Sequence, residues 1–167
     1  TFESVVSECG LLAADGVREI TLLGQNVNSY GRDVYGSPRF AELVRAVGET
    51  GVDRIRFTSS NPKDLSDEVI AAMAETPAVM PHLHLAVQSG STRVLKAMNR
   101  RYTREQYLEL VSRLRSAMPD LALSTDVIVG FPGEEEEDFL QTLSLVREAA
   151  FSSAFTFIYS KRPGTPA

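Results

Sequence analysis

The sequence predicts an α/β fold in which parallel strands curl into a partial, TIM-like barrel. Segments with strand and helix character alternate five times along the 167 residues, with short connections, which is typical of right-handed βαβ units and a parallel sheet. Several strands are apolar on one face and polar on the other, whereas a doubly wound sheet is apolar on both faces. The segments after the strands are rich in hydrogen-bonding residues, as expected at the mouth of a barrel.

The first helix and strand open the chain. Apolar residues recur at helical spacing over residues 2–15, which predicts an amphipathic helix that ends before Gly16. A short apolar strand is predicted over 18–23, and a loop rich in glycine and asparagine follows over 24–36. If that strand forms an exposed edge, we expect it to contact another copy of the chain.

The other elements follow in the same alternation. Ser66 is a favourable helix N-cap, and Thr103 with Gln106 forms a capping box. The predicted strands cover 54–59, 82–88, 121–129 and 153–159, and the predicted helices begin at Pro38 or cover 66–75, 91–98, 103–117 and 135–149.

The strand over 82–88 shows the two faces most clearly. His82 and His84 alternate with leucines, so the leucine side, including Leu85, is expected to pack under the helices. Gln88 has the same parity as the two histidines. Its side chain is therefore expected to point into the barrel at the mouth.

The residues that follow the strands are expected to converge on one rim, where the active sites of such barrels lie. Most are small or form hydrogen bonds, which suits a polar ligand with hydroxyl groups and an amino-acid moiety. The five groups are Gly24-Gln25-Asn26, Thr58-Ser59-Ser60-Asn61-Pro62, Gln88-Ser89-Gly90-Ser91, Gly130-Phe131-Pro132-Gly133-Glu134 and Tyr159-Ser160.

The composition restricts the functions that this segment could perform alone. Its net charge of −5 predicts poor binding to nucleic acid. No apolar run approaches ~20 residues and no signal-peptide pattern is present, so we expect no membrane association and a cytoplasmic location. The single cysteine, Cys9, lies on the apolar stripe of its helix and is interpreted as a buried structural thiol.

Three other groups have both a structural and a functional interpretation. His82 and His84 could bind a metal, but no third ligand is near in sequence, so hydrogen-bonding roles are favoured. The acidic run Glu134–Asp138 begins a helix, where carboxylates complement the macrodipole, and a structural role is favoured. A basic stretch is either an RNA-facing edge or a solvated helix junction; it comprises Arg93, Lys96, Arg100, Arg101 and Arg104.

Six motifs in order closely resemble the radical S-adenosylmethionine (SAM) core of the MiaB-type tRNA methylthiotransferases. The resemblance extends over the whole chain. The motifs occupy Leu22–Gly31, Arg56–Pro62, His82–Ser91, Met98–Thr103, Ser124–Glu134 and Phe155–Ser160.

The resemblance implies a six-stranded partial barrel whose first strand and following Cys-x3-Cys-x2-Cys loop hold a 4Fe–4S cluster that cleaves SAM to a 5′-deoxyadenosyl radical. It also implies a second 4Fe–4S cluster, in an N-terminal methylthiotransferase domain, that supplies sulfur. The implied product is the 2-methylthio derivative of an isopentenylated adenosine beside the tRNA anticodon. A C-terminal TRAM-like β domain would help to hold the tRNA.

On this resemblance, residues 1–167 are a single partial radical SAM domain. The first strand, the cluster loop and both terminal domains would lie outside the segment. We therefore expect the isolated segment to hold no cluster, to be inactive, and to bind tRNA weakly or not at all.

The resemblance also implies roles for particular residues. The loop at 24–26 matches the loop that binds the methionine amino group of SAM, residues 88–91 match the ribose and carboxylate contacts, and 126–130 matches the strand that supports the adenine. The residues expected to contact SAM are Gly24, Gln25, Asn26, Gln88, Ser89, Ser91, Asp126, Ile128 and Gly130.

The chain departs from the family pattern at four positions. Asp126 replaces the first glycine of the adenine motif, and Glu134 falls one place later than the general pattern. Ala86 and Asn61 stand where proline and histidine are expected.

Two alternatives remain open. One is a methylthiotransferase that acts on a ribosomal-protein aspartate or on another modified adenosine, although the loop Gln25–Tyr30 resembles the tRNA type and lacks the Asp-Thr pair of the protein-modifying type. The other is a non-catalytic α/β binding domain. A Cys-x3-Cys-x2-Cys motif encoded shortly upstream of Thr1 would exclude this second alternative.

Overall fold

The computed structural model describes residues 1–58, 60–161 and 164, so Ser59 of the predicted rim lies outside the described residues. No helix in this part of the chain is long and apolar enough to cross a membrane. In order, the elements are α1 (Phe2–Ala14), β1 (Glu19–Leu22), α2 (Arg32–Tyr35), α3 (Phe40–Gly48), β2 (Arg54–Phe57), α4 (Asp67–Glu75), β3 (His82–His84), α5 (Thr92–Ala97), α6 (Arg104–Ala117), β4 (Ala122–Val129), α7 (Glu136–Ala149) and β5 (Ser153–Ile158), with 3₁₀ turns at Val27–Ser29 and Pro62–Asp64.

All the strand pairs are parallel and follow the order of the chain. One ladder joins β1 to β2, with Ile20 opposite Ile55, and a second joins β3, β4 and β5. Isolated bridges from Ile55 to Val79 and from Ser60 to Leu85 connect the two ladders. The predicted α/β fold, a partial TIM-like barrel of parallel strands, is confirmed.

The junction between β2 and β3 differs from the predicted continuous sheet. Residues 78–80, which precede β3, pair with the middle of β2: the Ile55 amide donates to Ala78 O at 2.7 Å. One more residue separates Val79 from Leu85 than separates Ile55 from Ser60, so the register shifts. Pro81 lies within this stretch and has no amide hydrogen for a ladder. We call this junction, 55–60 against 78–85, the seam.

One face of the strands forms the hydrophobic core with the helices. The strand side chains Ile55, Leu83, Leu85 and Leu123 are 0% exposed, which confirms the predicted helix side of β3. Cys9 is buried in the same cluster, and burial raises the pKa of its thiol. The helices contribute Phe40, Val44, Val47, Leu95, Tyr107, Leu114 and Leu145.

The opposite face of the strands carries hydrogen-bonded polar side chains. Glu19 of β1 accepts from Arg54 Nε at 2.8 Å and from Arg56 Nε at 3.2 Å. His84 of β3 lies 3.0 Å from Ser124 Oγ and 3.2 Å from Asp126 Oδ2. His84 is thus a hydrogen-bonding histidine, as predicted, whereas His82 is exposed and its ring has no hydrogen-bond partner among the described residues. These residues also contain no cluster of ligands for a metal ion.

The helix starts agree with the predicted caps. Ser66 accepts from the Val69 amide at the start of α4, and Thr103 forms its capping box with Gln106 at the start of α6. At α7, Glu135 and Asp138 form a second capping box, which accounts for part of the acidic run. The short helix α2 inside the loop 24–36 was not predicted, because its four residues are too few for a periodic pattern.

Candidate functional site

The loops after β1 and β2 are tied together by asparagine side chains. Asn26 Nδ2 donates to Asp64 Oδ2 at 2.6 Å, and Asn28 Nδ2 donates to the carbonyl oxygen of Asn61 at 3.2 Å. Both bonds use the amide nitrogen. The two amide oxygens therefore take no part in these bonds, and both lie at the same end of the sheet.

Three buried polar atoms that follow β1 and β2 have no hydrogen-bond partner among the described residues: Asn26 Oδ1, Asn28 Oδ1 and Ser60 Oγ. Asn28 is 1% exposed and Ser60 is 5% exposed, so bulk water does not readily solvate them. A buried polar atom without a partner is destabilising and is rare in folded proteins. We call these three residues the β1–β2 rim, and its free acceptors suit a ligand that carries N–H or O–H donors.

Two clefts border Asn26 of the β1–β2 rim. Gln25 is exposed and, with Asn26 and Tyr30, lines a cleft of about 660 Å³. Gly24 lines a second cleft of about 480 Å³, whose walls include the apolar residues Val27 and Phe40. The loop at 24–26 is therefore accessible to a ligand from solvent, as its predicted role requires.

Gln88 marks the end of the regular alternation along the third strand. Its φ of 69° lies in the left-handed region, which is uncommon for a residue other than glycine. Its backbone still pairs with β4: the amide donates to Asp126 O and the carbonyl accepts from the Ile128 amide, both at 2.8 Å. Strand parity therefore does not determine where its side chain points, and its contact with a cofactor stays a prediction. Gln88 is 7% exposed and stands at the mouth.

The residues after Gln88 pack tightly against α7. Ser91 Oγ donates to Asp138 Oδ1 at 2.6 Å and accepts from the Val94 amide as the N-cap of α5. Ser89 Oγ lies 3.4 Å from Thr142 Oγ1, which also accepts from the Gly90 amide at 2.8 Å. We call these five residues, Ser89, Gly90, Ser91, Asp138 and Thr142, the β3–α7 corner. The hydroxyls of Ser89 and Ser91 have protein partners here, and their predicted contact with a cofactor stays a prediction.

Gly90 is required at the β3–α7 corner by its surroundings. A Cβ atom at this position would lie 2.4 Å from Thr142 Cα and 2.6 Å from Gln141 O, much closer than such atoms approach. The backbone of the loop therefore contacts the backbone of α7 directly. This close approach fixes the end of β3 relative to the helix layer.

Asp138 is the charged centre of the same corner. The Arg93 guanidinium, the Ser91 hydroxyl and the Glu135 amide all donate to its carboxylate. These bonds, with that from Arg93 the largest cause, lower the pKa of Asp138 to about 2. The carboxylate is therefore ionised and structural, as predicted for this acidic run.

The end of β4 supplies a polar and an apolar residue to the interior. Asp126, which stands in place of a glycine, uses its side chain to bind His84. Ile128 is half-buried and pairs with Phe157 of β5. Gly130 follows with a φ of 72°, which permits the turn that leads to α7. The structure thus gathers the predicted residues of 126–130 at the mouth beside Gln88.

Comparison with known proteins identifies the family of this fold and site. The sequence model described as the Radical SAM superfamily matches residues 1–146. The chain belongs to the radical SAM superfamily. Two solved structures show the same fold: methylornithine synthase (TM-score 0.65, 17% identity, covering 99% of this chain and 46% of that one) and the Escherichia coli coproporphyrinogen III oxidase (TM-score 0.64, 17% identity, covering 97% and 37%).

Two curated proteins that share the same name are far more similar in sequence to this chain than the solved structures are. The chain is 60% identical over 164 residues to tRNA-2-methylthio-N(6)-dimethylallyladenosine synthase of Acidothermus cellulolyticus, which covers 98% of this chain and 33% of that protein. It is 54% identical over 168 residues to the synthase of the same name from Acetivibrio thermocellus, covering 100% of this chain and 35% of that protein. The chain therefore spans about a third of the length of these curated relatives.

Membership of the radical SAM superfamily implies SAM and an iron–sulfur cluster, and the residues fit the two groups differently. The free acceptors of the β1–β2 rim match the ammonium and hydroxyl donors of SAM. A cluster of this kind needs several cysteine thiolates, whereas this segment has only Cys9, which is buried in α1. The segment's own residues thus fit SAM and do not fit a cluster.

The predicted basic stretch of this radical SAM domain divides into two sets. Arg93 is bound to Asp138, and Arg104 donates to Gln141 O at 3.1 Å and to Glu148 Oε2 at 2.8 Å. Lys96, Arg100 and Arg101 have no carboxylate within 4.0 Å among the described residues. The first set is tied to α7 by ion pairs, whereas the second has none among the described residues.

Asn28 and Ser60 were not among the residues predicted to contact SAM. Both lie in motifs that the sequence shows, and Ser60 lies in one of the five rim segments. What distinguishes them is a buried oxygen without a partner, and no local sequence signal reports that property.

Proposed function

We propose that this chain is part of a tRNA methylthiotransferase that converts an isopentenylated adenosine beside the anticodon to its 2-methylthio derivative. The observation that carries the proposal is the identity of 54–60% to synthases of that activity across nearly the whole chain. The loop Gln25–Tyr30 adds to it, because it resembles the tRNA type rather than the protein-modifying type.

In this proposal the β1–β2 rim binds the methionine end of SAM. Asn26 Oδ1 and Asn28 Oδ1 accept from its ammonium group, and Ser60 Oγ exchanges a hydrogen bond with the same end of the ligand. Their support is that all three atoms are buried without partners. Gln88 offers an amide to the ribose or the carboxylate, and Ile128 an apolar surface to the adenine. When bound, SAM would supply the radical chemistry.

The rest of the enzyme is proposed from the family. Two 4Fe–4S clusters are held by cysteines outside this segment, one of them in an N-terminal methylthiotransferase domain, and a C-terminal TRAM-like domain helps to hold the tRNA. The segment alone is then inactive, holds no cluster and binds tRNA weakly. The proposal places the enzyme in the cytoplasm. It also includes self-association of the segment through the edge of β1, beside which Leu23 is 77% exposed.

The experiment is an assay of the full-length protein, reconstituted anaerobically with iron and sulfide. SAM, a reductant and isopentenylated tRNA are added, and the nucleosides are analysed by mass spectrometry. We expect the 2-methylthio derivative of isopentenyladenosine, and no product from tRNA that lacks the isopentenyl group. Modification of a ribosomal-protein aspartate instead, with none of the tRNA, would establish the alternative and contradict the proposal.

A further inference from the structure

A polar cleft of about 310 Å³ lies between the segment that follows β2 and the start of α6. Three of the described side chains that line it are basic, Lys63, Arg101 and Arg113, and one is acidic, Glu109. The chain as a whole has a net charge of −5. The side chains that line the cleft therefore carry more positive than negative charge, although Asp64 pairs with Lys63 and Asp67 pairs with Arg113.

The cleft lies beside the mouth of the barrel. Lys63 belongs to the 3₁₀ turn Pro62–Asp64, whose Asp64 accepts from Asn26 of the β1–β2 rim. On the other wall, Tyr102 follows Arg101, and its hydroxyl lies 3.2 Å from the carbonyl oxygens of Ala86 and Val87, just before Gln88. A molecule that enters the mouth passes next to this cleft.

The positive charge of the cleft is available to a ligand. Arg101 is exposed and has no carboxylate within 4.0 Å among the described side chains. Arg113 pairs with Asp67, but the two side chains are 45% and 80% exposed, and Lys63 is 3.8 Å from Asp64. The exposed Arg113–Asp67 pair contributes little to stability, so a phosphate could replace Asp67 there without unfolding the site. Asp64 is only 11% exposed and accepts a hydrogen bond from Asn26, so it stays beside Lys63.

We propose that this cleft binds a backbone phosphate of the RNA substrate, next to the nucleotide that enters the barrel. This deepens the proposed function and rests on it. Arginine guanidinium groups suit phosphate oxygens because they donate two hydrogen bonds in parallel. Lys96 in the last turn of α5 and Arg100 in the segment that follows add further positive charge before Arg101. Arg93 and Arg104 instead act within the fold, as partners of Asp138 and Glu148.

The cleft could not be identified from the linear sequence. Lys63, Arg101 and Arg113 are separated by 38 and 12 residues, and the basic stretch predicted from the sequence contains only the second of them. Folding brings the turn after β2 against α6 and assembles the three charges. It also pairs two arginines of the stretch, Arg93 and Arg104, with carboxylates of α7.

The test compares charge-removing variants of the full-length protein. For R101Q and K63Q, binding of isopentenylated tRNA is measured by fluorescence anisotropy over a range of KCl concentrations. We expect affinity to fall roughly threefold to tenfold for each, and the slope of log affinity against log salt to become shallower by about 1. The control is R147Q, because Arg147 is exposed on α7 and has no ion pair among the described residues; its affinity and slope should not change.

Each outcome decides either this proposal or the proposed function. Unchanged affinity and slope in both R101Q and K63Q would overturn the phosphate site, while formation of the 2-methylthio product by the wild-type protein would leave the proposed function intact. If the wild-type protein makes no such product, the proposed function is contradicted. The salt slopes would then still test whether the cleft binds RNA phosphate. If R101Q failed to fold, K63Q would decide. Polyglutamate serves as a polyanion without phosphate groups. If R101Q and K63Q lost as much affinity for polyglutamate as for tRNA, the cleft would bind anions in general and the phosphate site would be rejected.

Discussion

The β1–β2 rim and the β3–α7 corner stand at the same mouth, yet they satisfy their polar atoms in opposite ways. In the corner, the hydroxyls of Ser89 and Ser91 and the carboxylate of Asp138 all have protein partners. At the rim, three buried oxygens have none among the described residues. Both regions are rich in small polar residues, so composition does not separate them. The corner is therefore held by contacts within the protein, whereas the rim keeps acceptors that no described residue uses.

The largest effect should come from filling the space at Gly90. In Gly90→Ala, the new methyl group would overlap the backbone of Thr142 at 2.4 Å, and a helix backbone cannot move away as a side chain can. We expect a loss of roughly 3 kcal/mol in the free energy of unfolding, measured in urea. Gly10→Ala is the control, because nothing lies within 4 Å of its position in α1, and it should be neutral or stabilising. Equal stability of the two variants would show that the corner is not tightly packed.

The next effect should appear at low pH. The pKa of Asp138 is lowered to about 2 by its partners, so the folded state favours the ionised carboxylate more than the unfolded state does. This contribution is present above the usual carboxylate pKa and is lost as the pH falls through the folded value. The melting temperature should therefore drop between about pH 4 and about pH 2 in the wild type, and more gently in Asp138→Asn. Parallel curves for the two proteins would assign the acid sensitivity to other groups.

A smaller loss is expected when the corner loses one hydroxyl. Ser91→Ala removes both the bond to Asp138 and the N-cap of α5. A lost cap or buried hydrogen bond typically costs about 1–2 kcal/mol. Chemical unfolding measures it, and Ser91→Thr, which retains a hydroxyl, should recover part of the loss. A wild-type midpoint for Ser91→Ala would contradict the structural role of this serine.

The smallest change in the free energy of unfolding should be a gain rather than a loss. Ser60 is buried like Ser91, at 5% and 1% exposed, but its hydroxyl has no partner among the described residues. Ser60→Ala should therefore leave the free energy of unfolding of the ligand-free protein unchanged or raise it by up to about 1 kcal/mol. Affinity for SAM, measured by calorimetry on the full-length protein, should fall roughly threefold to tenfold. Destabilisation without loss of SAM affinity would place Ser60 in the scaffold and remove the distinction between rim and corner.

The alternation of helices and strands was the most predictable part of the fold. The apolar face of β3 and the caps at Ser66 and Thr103 follow from local patterns, and the structure confirms them. The register shift near Pro81 could not be predicted, because it depends on how residues 78–80 meet β2 rather than on either sequence alone.

The candidate site was predictable in location but not in detail. Strand ends can be found from the sequence, and the structure places the loops at 24–26 and 88–91 after β1 and β3, where they were expected. Whether a serine in such a loop is free or bonded depends on residues far along the chain. Ser89 and Ser91 meet Thr142 and Asp138 about fifty positions later, and no local rule reports that meeting.

The seam has a consequence for local motion. Two isolated bridges and the backbone bonds of Ile55 to Ala78 and Met80, at 2.7 and 3.0 Å, join the two ladders there. Such a junction opens at lower free energy than a continuous ladder, so amide hydrogens along it exchange with solvent before those of β4. A ligand that contacts the loops of both ladders opposes that opening. Binding of a ligand at the mouth should therefore slow hydrogen exchange at the Met80 amide, although Met80 lies outside the mouth.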